Sequence, residues 1–114
     1  MLKKLACDFE FADDRGTLVQ LVHDGWRQIN VITSKKGAVR GGHYHKFNQE
    51  AFYIVSGSLE LTVNDSVYSF RQGDFFSIEP FDLHSFRFWE DTILVSMYSE
   101  GVELADGTKD IYTK

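Results

Sequence analysis

Three histidines and a glutamate have the residue types and the spacing of a metal-ligand set. His43 and His45 are separated by one residue, so on a β-strand both imidazoles would point to the same face. Glu50 follows His45 by five residues, beyond a short predicted loop, and His84 lies far along the chain, just after a proline turn. Imidazole and carboxylate groups suit a divalent first-row metal such as zinc, iron, manganese, nickel or cobalt. We therefore expect one such ion to be held by His43, His45, Glu50 and His84, with positions left open for water or substrate.

The elements that must position these side chains are predicted to be short β-strands. Turn residues recur about every 8–12 residues, a spacing typical of β-sandwiches and barrels. Strict alternation over 59–63 places Leu59, Leu61 and Val63 on one face of a strand. No segment has a sustained helical period, although 46–49 could hold one helical turn. The sequence therefore predicts an all-β fold.

The same alternation predicts which aromatic residues surround the metal-ligand set. Phe52 should share an inner face with Glu50, and Phe86 and Phe88 should share one with His84. Each ring on its own is more easily explained as filling of the core. As a set, some of them must border a pocket that we expect to bind a small molecule.

Length, charge and cysteine content limit the class of protein. The 114 residues fit one domain over 1–114, with a core at about 13–99 and an edge strand or tail at 102–114. A net charge of -5 without a basic stripe argues against nucleic acid and membrane as partners. The lone Cys7 and the lack of a visible signal peptide or apolar span favour a reducing, cytoplasmic location.

Further polar residues near the histidines are candidates for contact with a substrate or for proton transfer. Arg40 precedes two glycines and could pair with a phosphate or carboxylate, as could Lys46 and Arg71, although solvated surface positions explain them equally well. Tyr44 and Tyr53 carry hydroxyl groups close in sequence to the predicted ligands.

Five fixed positions within twenty-one residues match the first signature of the cupin family, and they are Gly37, His43, His45, Glu50 and Gly57. Gly73 and His84 are similar to the two most telling positions of the second signature. That second signature is imperfect, because Pro80 comes one residue late, Asp82 stands where glycine is common, and Phe88 replaces an asparagine.

The resemblance to cupins implies a double-stranded β-helix, which is a jelly-roll barrel of two sheets with a metal inside its mouth. Some cupins keep this fold without an ion. We also expect a homodimer, because jelly-roll sheets leave edges and an aromatic face to be covered.

Two segments narrow the resemblance further, namely 14–18 (Asp-Arg-Gly-Thr-Leu) and 40–46 (Arg-Gly-Gly-His-Tyr-His-Lys). They are similar to cupins that act on nucleotide-linked deoxysugars, among them the dTDP-sugar 3,4-ketoisomerases and the metal-bearing cupin domain of capsular-polysaccharide UDP-sugar reductases. The ketoisomerases imply metal-free acid–base roles for His43 and His45 and a substrate-positioning role for Arg40. Those enzymes have glutamine where this chain has Glu50, and a glutamate there points back to a bound metal.

The chemistry implied by this resemblance is proton transfer beside a 4-keto group. A histidine that binds a metal cannot also act as a free base, so in the metal-bound case Tyr44, Tyr53 or a hydroxide on the ion would have to serve. Two other classes of function stay open at this point. One is a metal-dependent oxygenase or lyase, and the other is a non-catalytic module that binds or senses a ligand.

Overall fold

The structure is a computed structural model that describes residues 1–113. Within that range the chain forms twelve β-strands, and no helix there is long and apolar enough to cross a membrane. The strands are β1 (Lys3–Lys4), β2 (Phe9–Asp13), β3 (Gly16–Gln20), β4 (Gln28–Ser34), β5 (Val39–Tyr44), β6 (Glu50–Ser56), β7 (Ser58–Val63), β8 (Ser66–Arg71), β9 (Phe75–Ile78), β10 (His84–Phe88), β11 (Thr92–Tyr98) and β12 (Tyr112–Thr113). The all-β prediction is confirmed.

Two five-stranded antiparallel sheets pack face to face. The first sheet has the order β1-β9-β6-β11-β4, and the second sheet has the order β12-β5-β10-β7-β8. Neighbours in each sheet are mostly distant in sequence, as in a jelly roll, so each sheet is assembled from both halves of the chain.

The main core lies between the inner faces of the two sheets. Leu59, Leu61 and Val63 all point into it, as their alternation predicts. Aromatic rings fill much of the remaining space, and the rings of Phe70 and Phe76 stack with centroids 3.9 Å apart. Each aromatic side chain buries a large apolar area. Such side chains help a small domain, which buries a smaller fraction of its surface than a large one does, to form a stable core.

A smaller cluster covers the outer face of the first sheet. Ala51, Phe75 and Met97 are buried there under the N-terminal residue Leu5 and under Trp26 from the loop before β4. These positions alternate with the inner-face residues of β6, β9 and β11, so both faces of this sheet are largely apolar.

Strands β2 and β3 pair only with each other and form a hairpin outside the two main sheets. Phe11 lies opposite Leu18 and Phe9 opposite Gln20, so the three apolar side chains share one face. All three of these apolar residues are exposed.

The C-terminal segment, residues 102–113, returns to the second sheet. An isolated bridge joins Glu103 to Lys109, and β12 then pairs with β5, with Tyr112 opposite Tyr44. Asp110 has no exposed surface, so this segment is anchored against the body of the protein.

Candidate functional site

Strand pairing brings the predicted metal ligands to one end of the barrel. His43 is near the end of β5, directly opposite His84 at the start of β10. Glu50 begins β6, and His45 lies in the loop that joins β5 to β6. The ligand nitrogens of His43, His45 and His84 all lie within 4.8 Å of one another.

A glycine allows β5 to approach β10 closely beside these histidines. A Cβ at Gly41 would lie 2.7 Å from the carbonyl oxygen of His84 and 2.9 Å from Cα of Ser85. Such distances are shorter than van der Waals contact, so position 41 excludes a side chain. The neighbouring Gly42 also has a positive φ, but a Cβ there would face open space.

Backbone carbonyls fix the orientation of two of the imidazoles. His45 Nδ1 lies 2.7 Å from the carbonyl oxygen of Asp110, and His84 Nδ1 lies 2.9 Å from that of Asp82. Since a carbonyl only accepts, each Nδ1 must carry the proton. The Nε2 atoms of His45 and His84 therefore face Glu50 Oε1, at 3.0 and 3.6 Å.

Two residues of β11 lie beside Glu50. Ser96 Oγ donates a hydrogen bond to Glu50 Oε2, and Tyr98 lies directly opposite Glu50 in the pairing of β11 with β6. Sequence reasoning missed both residues. The available signal was alternation, because Ser96 and Tyr98 share the inner face of β11 with the core residue Leu94.

The electrostatics of the cluster favour neutral imidazoles at two of the three histidines. Burial, followed by the charges of His84 and His45, lowers the pKa of His43 to about 4. Burial also lowers the pKa of His84. Burial acts to lower the pKa of His45 too, but hydrogen bonds to Glu50 and Asp110 outweigh it and the net pKa is raised. Neutral imidazoles with Nε2 facing a carboxylate form a donor set that fits a divalent first-row metal.

A cavity of about 380 Å³ opens onto this cluster. Its polar end contains His43, Glu50, His84 and Tyr98, and its wall is apolar. The apolar lining consists of Ile32, Val39, Phe52, Phe86, Phe88 and Leu94. The three predicted phenylalanines therefore border the cavity as well as filling the core.

A sequence comparison decides the family. The pattern of the family described as Cupin domain matches residues 30–98, which is more than half of the chain. The chain belongs to the cupin family. The prediction from the two glycine–histidine signatures is thereby confirmed, while no curated protein matches the sequence.

Solved structures similar to this cupin share its fold. A TDP-quinovose 3,4-ketoisomerase from Campylobacter jejuni has a TM-score of 0.83 at 18% identity, over 99% of this chain and 92% of that chain. A dTDP-4-dehydrorhamnose 3,5-epimerase from Sulfolobus tokodaii has a TM-score of 0.69 at 21% identity, over 80% of this chain and 66% of that chain. The capsular polysaccharide assembling protein CapF from Staphylococcus aureus has a TM-score of 0.65 at 22% identity, over 92% of this chain and 33% of that chain.

These similarities confirm, at the level of the fold, the predicted resemblance to cupins of the nucleotide-sugar ketoisomerase and epimerase type. The cupin spans slightly less than two thirds of the length of the epimerase and one third of the capsular protein.

Arg40 lines the cavity. Its guanidinium donates from Nε to Ser34 Oγ at 2.7 Å and from Nη2 to the carbonyl of Thr33 at 3.1 Å. These two bonds tie β5 to β4 and fix the position of the positive charge.

The structure does not bring the other four predicted polar residues into the cavity of this cupin. Tyr44 points away from the neighbouring histidines and packs between Phe81 and Tyr112, and Lys46 lies over the ring of Tyr112 at 4.2 Å. Tyr53 packs in the outer cluster against Phe75. Arg71 ends β8 opposite Ser58, at the end of β7 remote from His84.

One residue after Pro80 has an unusual backbone conformation for its type. The sequence pattern placed the missing glycine of the second signature at Asp82, but the left-handed backbone lies one residue earlier, at Phe81, with φ of +70°. Asp82 instead accepts hydrogen bonds from the Glu79 amide and the Asn64 side chain. Phe81 is three residues before His84, which is the spacing of the glycine and histidine in the second signature.

Proposed function

We propose that this cupin binds one divalent transition metal through His43, His45, Glu50 and His84 and acts as an isomerase or epimerase on a nucleotide-linked keto-deoxysugar. The observation that carries the proposal is the convergence of three imidazoles and a carboxylate at the polar end of an otherwise apolar, open cavity.

The metal part of the proposal is supported by the orientation of the donor atoms. Nδ1–H groups of His45 and His84 bond to backbone carbonyls, so both Nε2 atoms point to the centre of the cluster, where an ion would replace the proton that His45 Nε2 shares with Glu50. A bound divalent ion would polarise a carbonyl oxygen of the substrate as a Lewis acid.

The substrate part is supported by the size and polarity of the cavity. A volume of about 380 Å³ is near the lower end of the range for ligand pockets, roughly 300–1,000 Å³. It suits one sugar ring, with the nucleotide outside and its phosphates near Arg40. The apolar wall suits the methyl group of a deoxysugar, and the polar end suits its keto and hydroxyl oxygens.

The proposed reaction is redox-neutral and moves one proton between neighbouring carbons. A base takes the proton from the carbon next to the keto group, giving an enediolate, and the protonated base then returns a proton at the former keto carbon. The base would be His43 if no ion is bound, and a hydroxide at an open position of the ion if His43 is a ligand. The divalent ion held by the four candidate ligands would supply the stabilisation of the enediolate's negative charge. Because burial and the charge of Glu50 raise the pKa of Tyr98, its hydroxyl stays protonated and serves as a donor rather than a base.

His43 has two roles that exclude each other. It lines the cavity and its low pKa keeps it neutral at pH 7, so it can either bind the metal or accept the substrate proton. Metal content measured together with activity separates the two. Metal-dependent turnover assigns His43 to the ion, whereas full turnover by metal-free protein assigns it to proton transfer and overturns the metal site.

The test uses purified protein, elemental analysis and a 4-keto nucleotide sugar in deuterium oxide. We expect one equivalent of metal, lost in Glu50→Gln, and deuterium incorporated into the sugar ring of the product. The absence of any isomerised or epimerised product contradicts the isomerase proposal, whereas product without ring deuterium shows that the base returns the proton that it removed. Oxygen consumption on mixing would favour a metal-dependent oxygenase, and ligand binding without turnover would favour a binding or sensing module.

We also propose that the cupin forms a homodimer. An isolated two-stranded hairpin is marginally stable in water, yet Phe9, Phe11 and Leu18 are exposed on one face of it. Strand β4, at an edge of the first sheet, likewise exposes Ile29 and Val31. Burying these apolar surfaces against a second copy would stabilise both.

Light scattering after gel filtration tests this assembly. Leu18→Asp is expected to give monomers, while Thr17→Asp, on the opposite face of the same hairpin, should stay dimeric. A monomeric wild-type protein would overturn the proposal.

A further inference from the structure

A buried aspartate outside residues 30–98, the family-matched region, contacts the loop that carries one of the candidate metal ligands. Asp110 has 0% exposed surface and lies in the C-terminal segment. Its partners are His45 and the three residues that follow it, 46–48. This contact joins parts of the chain that are more than sixty residues apart.

The carboxylate of Asp110 accepts three hydrogen bonds from this loop. The amide N–H groups of Lys46 and Phe47 donate to it at 2.8 and 2.9 Å, and Asn48 Nδ2 donates at 2.8 Å. A buried carboxylate is costly unless such donors surround it, so these bonds are needed for Asp110 to lie here at all. The three hydrogen bonds hold the 46–48 loop at a fixed distance from Asp110.

The backbone carbonyl of the same residue orients the imidazole of His45. It accepts the Nδ1–H at 2.7 Å, which leaves Nε2 facing Glu50 Oε1 at 3.0 Å. The equivalent contact of His84 is local, because its carbonyl partner Asp82 is two residues away. His45 therefore differs from His84 in needing a distant segment to fix its ring.

We propose that Asp110 is a positioning residue for His45, with its carboxylate anchoring the 46–48 loop so that its carbonyl keeps the proton of His45 on Nδ1. Through this pair of contacts the C-terminal segment sets the direction of the Nε2 lone pair at the site. Partners that fix the tautomer of a ligating histidine typically contribute about 10–100-fold to metal affinity.

The test compares two alanine variants of the full chain. Asp110→Ala removes the anchor, whereas Asp106→Ala makes the same change in the same segment, at an exposed residue whose side chain bonds, within residues 1–113, only to Thr108. Imidazole ¹⁵N shifts of His45 in metal-free protein, recorded at a pH above the pKa of His45 where the ring is neutral, report which nitrogen carries the proton, and Co²⁺ titration reports metal affinity.

We expect Asp110→Ala to move the His45 proton from Nδ1 to Nε2 and to weaken Co²⁺ binding about 10–100-fold, with Asp106→Ala unchanged in both. A folded Asp110→Ala protein that keeps the wild-type ¹⁵N shifts of His45 overturns the proposal. The ¹⁵N measurement needs no metal, so wild-type protein that fails to bind Co²⁺ would count against the proposed function alone.

A conservative variant covers the case in which Asp110→Ala does not fold. Asp110→Asn keeps the volume but leaves one acceptor oxygen for the three donors of the loop. We expect faster amide hydrogen exchange at Lys46 and Phe47 and a Co²⁺ affinity between those of wild type and the alanine variant. Wild-type exchange together with wild-type His45 shifts in Asp110→Asn would contradict the proposal.

Discussion

The hydroxyl of Ser96 donates a hydrogen bond to the carboxylate of Glu50, with 2.6 Å between Oγ and Oε2. Both side chains are buried, and they lie on the neighbouring strands β11 and β6. Since a hydrogen bond to one oxygen of a carboxylate fixes the position of the other, Ser96 directs Oε1 of Glu50 toward His45 and His84.

Ser96→Ala should therefore weaken metal binding without unfolding the protein. We expect Co²⁺ affinity to fall by about 10–100-fold, the usual effect of removing a partner of a metal ligand. Ser77→Ala is a matched control, because Ser77 is also fully buried but its hydroxyl has no hydrogen-bond partner among residues 1–113. That control should keep its affinity and gain slightly in stability. Equal Co²⁺ affinities for the two variants would contradict the role of Ser96.

Gly41→Ala should disturb the site more than Gly42→Ala does. Both positions have a positive φ, so alanine costs about 1 kcal/mol of backbone strain at either one. Only at position 41 would the new methyl group collide with the backbone of His84. Thermal unfolding and Co²⁺ titration of the two variants measure the difference. Similar melting temperatures and Co²⁺ affinities for both would show that the backbone of β10 shifts to accommodate the methyl group at little cost.

Phe81→Gly should stabilise the fold. Phe81 has φ of +70° and is 64% exposed, so little burial offsets its backbone strain of about 1 kcal/mol or more. We expect the melting temperature to rise by a few degrees, despite the lost stacking on Tyr44. Phe81→Ala also removes the ring but keeps the Cβ, so it should show no such rise. A lower melting temperature for the glycine variant would mean that the stacking outweighs the strain.

The stability of the hairpin base should depend on pH through His23 and Asp8. His23 Nδ1 lies 2.6 Å from Asp8 Oδ2. The hydrogen bond to Asp8, followed by the charges of Asp24 and Asp8, raises the pKa of His23 above 6.5. Hydrogen bonds from His23 and Gln20 lower the pKa of Asp8 below 3.8.

The direction of the pH dependence follows from whether the folded or the unfolded state binds the proton of each group more tightly. The contribution of His23 is present below pH 6.5 and is lost as the pH rises through its raised pKa, while that of Asp8 is present above pH 3.8 and is lost as the pH falls through its lowered pKa. An NMR titration of His23 should give a pKa above 6.5, falling toward 6.5 in Asp8→Asn. A wild-type value at or below 6.5 would rule out the contact in solution.

Much of the fold and the meeting of His43, His45 and Glu50 could be predicted because both depend on local patterns, whereas His84 joins them through pairing of β10 with β5 and was predicted by the resemblance to cupins. Alternation over single strands assigns inner faces, and the signature spacing places His43, His45 and Glu50 around one turn. Closeness in sequence to the predicted ligands favours Tyr44 and Tyr53 as bases. On a strand, however, adjacent residues point to opposite faces, and the structure accordingly places both outside the cavity.

The residues that could not be predicted act through pairing between distant segments. Ser96 and Tyr98 contact Glu50 because β11 lies beside β6, and no local pattern specifies that neighbour. Asp110 contacts His45 only because the C-terminal segment returns to β5. The residues around Asp110 are mostly polar, as is typical of an exposed tail, so the burial of Asp110 could be found only from the structure.

The contact between His45 and Asp110 also sets an order of events during synthesis of the protein. Ribosomes make the chain from its amino end, so all four candidate ligands and every strand of both sheets except β12 exist before residue 110 is added. A nascent chain that ends after β11 would hold the ligands with the His45 ring still free to turn. The site would reach its final geometry only when the C-terminal segment leaves the ribosomal tunnel and docks.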